Sequence, residues 1–206
     1  MVSTTRQVEI VREADAAGEV AALYDQLRDR FGGFVPDVFK LVSSRPDMLG
    51  AFVAGYRSMF DAGHLPREAK EVVALTVARV ASCQYCTTAH DALLRLLGTE
   101  SRYADAVLAG ALDDPAIPAD VRALAELATT ITDNAYRITD DDLDRARSHG
   151  WTGPQVLEAV WVACLFNAIV RLADTFGLRD LGQLADDHVG AEDVRLHDVG
   201  GVPSPR

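Results

Sequence analysis

Prolines at 46, 66 and 154 each open a stretch in which apolar residues recur at helical spacing, while stretches that alternate apolar and polar residues are almost absent. Proline fits the first turn of a helix, where its missing N–H has no partner to lose. A chain punctuated this way has to bury its apolar surface by packing helices on one another, so the expected class is all-α.

The stripes can be followed from end to end. Val20, Leu23, Tyr24, Leu27 and Phe31 share a helical face that stops at Gly32 and Gly33. A short helix is expected from Pro36 to Leu41, and a longer one from Pro46 through Phe52, Tyr56 and Phe60 to about Gly63. The helix from Pro66 to Ala81 is apolar around most of its circumference, which predicts burial. Ser82 then reads as the N-cap of a helix from Cys83 to Leu97 closed by Gly98. Further helices are expected over Ser101–Ala111, Val121–Asp133, Thr139–Ser148 and Pro154–Thr175, the last opened by a Thr152/Gln155 capping box. The expected architecture is a bundle of paired antiparallel helices. The helices opened by Pro66 and Pro154 share a pattern of Pro, then Glu71 or Glu158, then Val and Ala, which suggests two weakly related halves, about 15–100 and 101–188. A short arm, 1–14, precedes them and a polar tail, 189–206, follows.

Acidic residues outnumber basic ones 31 to 20, a net charge of −11 with no local basic stripe, so a phosphate backbone is not an expected partner. The N-terminal residues are polar and of mixed charge, unlike a signal peptide. The most apolar run, Val156 to Ile169, contains Glu158 and Asn167 and falls short of the roughly 20 residues that span a bilayer. A cytoplasmic chain with no membrane partner is therefore expected. In that compartment thiols stay reduced, so a close cysteine pair points to chemistry or metal binding rather than to a structural disulfide.

Such a pair is present. Cys83, Cys86 and His90 are spaced three and four apart, which aligns them on one helical face. Sulfurs three residues apart can reach disulfide distance with little backbone change. The unpaired N–H groups at a helix start stabilise a thiolate, and an imidazole one turn on can take or return its proton. A bland reading, small core residues beside an incidental histidine, fits the pattern less well. The metal reading has three soft ligands where structural zinc takes four; Cys164, His64 or His149 could complete the set, but no spacing selects one. Glu71 on the preceding helix has two readings: a surface carboxylate paired with Arg67 or Lys70, or a desolvated one that orients His90. Asn167, Arg171 and Asp174 share a face of the last long helix. They form either a polar stripe with an Arg171–Asp174 pair or a network lining the site.

Glu71, eleven residues, then Cys-x-x-Cys-x-x-x-His resembles the alkylhydroperoxidase D-like branch of the carboxymuconolactone decarboxylase superfamily. The runs from Phe34 to Phe39, Arg45 to Leu49 and Leu65 to Glu68 are similar to that branch. The run from Phe166 to Asp174 resembles the second-half helix of its two-repeat, peroxidase-related members, and the likeness covers roughly residues 15–185. The resemblance implies a homo-oligomeric all-α thiol peroxidase that needs no cofactor or metal. Cys83 and Cys86 would be its redox pair, His90 its active-site histidine and Glu71 its proton relay. The substrate would be an organic hydroperoxide or hydrogen peroxide, and the reductant a dithiol, either small or carried on a lipoyl- or thioredoxin-like protein. The best-studied branch has a histidine just before the second cysteine where this chain has Tyr85, so a relay here would run through that hydroxyl or water. The decarboxylase branch lacks the cysteine pair, so decarboxylation is not expected. Helix position favours Cys83 as the attacking thiol and nearness to His90 favours Cys86, with Cys86 preferred. The competing functions are a dithiol–disulfide oxidoreductase or redox sensor, and a non-catalytic zinc-binding assembly protein.

Overall fold

The structure, a computed structural model, describes residues 8–184. The polar tail, the last residues of the second expected half and residues 1–7 of the arm lie outside the described residues. Within them the chain is all-α: α1 (Gly18–Arg30), α2 (Asp37–Lys40), α3 (Pro46–Phe60), α4 (Arg67–Val80), α5 (Gln84–Leu96), α6 (Ser101–Ala109), α7 (Ala119–Asn134), α8 (Asp140–Ser148) and α9 (Gly153–Phe176), with single 3-10 turns at Glu13–Asp15 and Ala135–Arg137.

The described residues divide into two compact units, one of residues 8–57 and 172–184, the other Ser58–Arg171. This partition differs from the halves expected from the repeat. In the first unit the Phe31 ring meets Phe34, Phe39 and Tyr56 at centroid distances of 5.5–6.1 Å. These aromatic contacts add to the burial of the stripe that runs from Val20 to Phe31. The arm is tied down as well: Ser43 Oγ accepts the Val11 N–H at 2.7 Å, and the Tyr24 hydroxyl donates to the Val11 carbonyl at 2.8 Å.

In the second unit α4 is the central helix. Every residue from Ala69 to Ala78 is buried, as its all-round apolarity requires, and it packs against α5, α6 and α7. Val72 and Leu75 meet Leu94, Tyr103, Val107 and Ile117 in one cluster. Fully burying each such aliphatic side chain is worth about 1.5–3 kcal/mol. Gly110 ends α6 at φ +72°, which favours glycine, and a Cβ there would sit 2.5 Å from the Arg79 guanidinium and displace it.

Two expectations need correction. Helix α9 is long and apolar enough to cross a bilayer, contrary to the reading of its shorter apolar run. Val156, Val162, Phe166, Ile169 and Val170 on it are buried, while Leu157 and Trp161 are exposed. Ser82 is not a helix cap, because it stands at φ +59° and Cys83 takes the N-cap position of α5. The Thr152/Gln155 box does open α9, with Gln155 Oε1 accepting both the N–H and the hydroxyl of Thr152 at 2.9 Å.

Candidate active site

The thiols are placed by the corner between α4 and α5. The Cys83 N–H donates to the Ala78 carbonyl at 2.9 Å and the Ser82 N–H to the Arg79 carbonyl at 3.0 Å, the paired bonds of a Schellman ending. That ending needs a left-handed residue, and among the described residues Ser82 is the only non-glycine with positive φ. Cys83 then turns extended, and its carbonyl accepts the Thr87 N–H at 2.9 Å, the first bond of α5. One residue thus ends one helix and starts the next. Cys86 is the third residue of α5, still in the first turn, where N–H groups lack helical partners and the dipole favours an anion. Cys83 and Cys86 are 0% and 2% exposed.

His90 follows Cys86 by one turn and is buried. Its Nδ1 lies 2.6 Å from Glu71 Oε2, in the interior between α4 and α5. The other carboxylate oxygen of Glu71 receives Arg67 Nε and Nη2, both at 2.6 Å, from one turn earlier on α4. The surface reading of Glu71 fails, because the side chain is fully buried, but the Arg67 pair that came with it is present alongside the contact with His90. Burial alone pushes its carboxyl up, but the charges and hydrogen bonds of His90 and Arg67 outweigh that and hold it below the usual value. An ionised carboxylate only accepts, so His90 Nδ1 carries the hydrogen and Nε2 is left to exchange a proton.

Two aromatic rings enclose the imidazole. Phe60 stacks on it at 5.6 Å and 29°, and Phe166 meets it edge-on at 4.5 Å and 77°. Arg67 lies 4.9 Å over the Phe60 ring and donates from Nη1 to the Phe60 carbonyl at 3.2 Å. The places of Phe60, Phe166 and Arg67 in the site were not read from the sequence. The i−4 spacing of Arg67 from Glu71 was the available signal, whereas nothing in the sequence singles out Phe60.

Tyr85 is buried in the first turn of α5. Asn167 donates to Thr132 Oγ1 at 3.0 Å and so links α9 to α7, and its own carbonyl and side-chain oxygen each accept from Arg171 at 2.6 Å. The expected Arg171–Asp174 pair is replaced by an Asp174–Arg179 pair at 3.0 Å. Lys70, offered as a partner for Glu71, points instead to Glu158. Cys164, His64 and His149 are exposed, and among the described residues no group of three or more His, Cys, Asp or Glu is arranged to hold a metal ion.

This fold is shared with solved structures. The AhpD-core peroxidase-related protein of Ralstonia eutropha JMP134 superposes with a TM-score of 0.75 at 24% identity, over 97% of this chain and 98% of that one. A cysteine-to-alanine variant of the debrominase Bmp8 in complex with 2,3,4-tribromopyrrole superposes at 0.73 and 15% identity, over 85% and 91%. The architecture is thus the AhpD-like all-α fold. A sequence model of the carboxymuconolactone decarboxylase family matches residues 46–129, which hold Glu71, both thiols and His90. The alkyl hydroperoxide reductase Rv2159c of Mycobacterium tuberculosis is 35% identical over 114 residues, 54% of this chain; the match spans about a third (33%) of that relative. Residues 46–129 are thus similar to the carboxymuconolactone decarboxylase family, and the described chain shares the AhpD-like fold.

Proposed function

We propose that the chain is a thiol-dependent peroxidase in which Cys83 and Cys86 are the redox pair and His90 and Glu71 form the proton relay, with Arg67 anchoring Glu71. The observation that carries this reading is the buried 2.6 Å contact between Glu71 and His90 one helical turn from Cys86. With Nδ1 committed to Glu71, His90 Nε2 takes the Cys86 proton. The thiolate attacks one peroxide oxygen: an S–O bond forms, the O–O bond breaks, and the leaving alcohol or water takes the proton back from His90. The Cys83 thiol then displaces hydroxide from the sulfenic acid, an S–S bond forms and water leaves. An external dithiol restores both thiols and is itself oxidised to a disulfide.

Burial supports a peroxide as the oxidant in preference to a protein disulfide. A thiol with almost no exposed surface is reached by a small molecule through a small opening, whereas exchange with a protein disulfide needs a wide one. The same constraint favours a slender dithiol, free or on a lipoyl arm, as reductant. The reading also has the chain working as a homo-oligomer in a reducing cytoplasm; sedimentation at micromolar concentration tests the first and cell fractionation the second.

The test is consumption of hydrogen peroxide and of tert-butyl hydroperoxide with dithiothreitol as reductant. Turnover is expected from the natural chain, with two thiols lost together to disulfide when the dithiol is withheld. The Cys86→Ser variant is expected to lose turnover by about a thousandfold or more. A Cys86→Ser protein as fast as the natural chain would sink the mechanism.

A further inference from the structure

Helix α9 carries Phe166, one wall of the His90 enclosure, and it also holds the segment that carries the other. We propose that Glu158 is a positioning residue for His90, acting through the 61–65 loop on Phe60. Glu158 Oε1 accepts the His64 N–H at 2.7 Å and Oε2 the Leu65 N–H at 2.8 Å, so one carboxylate fixes two successive backbone groups. Lys70 Nζ bridges the same carboxylate, at 3.4 Å, and the Asp61 carbonyl, at 2.9 Å. Gln155 Nε2 holds the His64 carbonyl at 3.1 Å, and the Trp161 indole N–H donates to Ser58 Oγ at 2.9 Å. Residues 155, 158 and 161 of α9 therefore tie the chain down from 58 to 65, on both sides of Phe60.

The fit is close. A Cβ at Gly63 would lie 2.6 Å from Glu158 Oε1, a distance at which something must shift. Burial pushes the Glu158 carboxyl up, but the His64 and Leu65 N–H groups and Lys70 outweigh it and hold it below its usual value, so the clamp remains an anion through mildly acid pH. Its load is Phe60, whose ring stacks on His90 and whose carbonyl and ring both hold Arg67, the partner of Glu71. Loosening the loop releases a wall of the imidazole and one anchor of the relay at once. Displacements of about 1 Å at a relay can cost up to about a hundredfold in rate.

The inference rests on the peroxidase reading for its kinetic readout only; the imidazole ¹⁵N and ring-proton shifts of His90 report the geometry without turnover. Full-length Glu158→Ala, Glu158→Gln, Gly63→Ala, Phe60→Ala and the Glu158→Ala/Phe60→Ala pair are compared by hydrogen peroxide turnover across pH and by those shifts. Glu158→Ala is expected to lower kcat about tenfold with KM little changed and to move the His90 signals. Glu158→Gln, which keeps an acceptor oxygen, should recover part of the loss. Gly63→Ala retains the carboxylate and pushes on it, so it should reproduce the defect even where Glu158→Ala fails to fold. The double variant should be no slower than Phe60→Ala alone, because both act through one ring. A Glu158→Ala or Gly63→Ala protein that melts earlier but keeps kcat and the His90 shifts of the natural chain overturns the proposal, as do losses that multiply in the double variant. Absence of peroxide turnover in the natural chain refutes the peroxidase reading, and the His90 shifts still decide the positioning.

Discussion

Each compact unit buries an ionic cluster, and the two clusters behave in opposite ways. In the first unit Lys40, 2% exposed, lies 2.7 Å from Glu13 and 3.5 Å from Asp37, which is as buried as the lysine. Asp37 also accepts the Leu184 N–H at 3.1 Å, so the cluster ties the end of the described chain to α2. In the second unit Arg67, Glu71 and His90 form a row of similar size. Burial raises the Asp37 carboxyl and Lys40 only partly offsets it, whereas at Glu71 the His90 and Arg67 charges outweigh burial and lower it. Only the second cluster ends on an imidazole, one turn from a thiol. Buried charge alone marks tight packing as often as chemistry; the group at the end of the row decides which.

The largest effect that separates the two is on turnover. His90→Gln keeps a polar side chain against Glu71 but cannot exchange a proton, so peroxide turnover is expected to fall by about a hundred- to ten-thousandfold. Its urea midpoint should move far less than that loss implies for a folding defect. Comparable turnover in His90→Gln would place the second cluster in the same structural class as the first.

Lys40→Ala probes the other side. It leaves the Asp37 carboxylate buried without its cation, and breaking a buried pair in this way costs about 3–5 kcal/mol. Chemical unfolding should show that loss, while turnover per folded molecule and its pH dependence should match the natural chain. A changed pH profile in Lys40→Ala would break the contrast.

Acid titration sharpens it. The lowered Glu71 carboxyl contributes stability that is complete above its unfolded-state value of 4.5 and is lost as the pH falls through its lower folded-state value. The raised Asp37 carboxyl does the reverse: ionised, it opposes folding above its raised value, and that penalty fades as the pH falls toward its ordinary 3.8. Urea midpoints measured from about pH 6 down to about pH 3 should therefore fall less steeply in Glu71→Gln than in the natural chain, and should keep the acid-side fall in Asp37→Asn. Equal slopes in Glu71→Gln and the natural chain would refute the assignment.

The local patterns were readable without coordinates because they depend on residues within a turn or two. Proline starts, glycine stops and the alignment of Cys86 with His90 are set by helix geometry, and they appear as read. What escaped depends on distance along the chain or on a rule broken at one residue. Glu158 meets His64 across 94 positions, a pairing no periodicity encodes, and Phe60 looks like any other member of the α3 stripe. The N-cap of α5 was misplaced by one residue because a Schellman ending normally announces itself with glycine, and here a serine fills the left-handed position.

That serine supplies the smallest effect. Gly98 and Gly110 close α5 and α6 at φ +85° and +72° without a Cβ to resist, while Ser82 closes α4 at +59° beside the thiols. A left-handed residue with a Cβ costs roughly 1–2 kcal/mol, and glycine would relieve it while losing about 0.5–1 kcal/mol more to unfolded-state freedom. Ser82→Gly should therefore stabilise the chain by no more than about 1.5 kcal/mol, whereas β-branched Ser82→Val should destabilise it. Turnover in Ser82→Gly should equal that of the natural chain, because Cys83 is set by backbone bonds to Ala78 and Thr87 that glycine preserves. If Ser82→Gly instead slows peroxide reduction, the serine hydroxyl acts on the thiols directly, and the corner is part of the chemistry as well as its support.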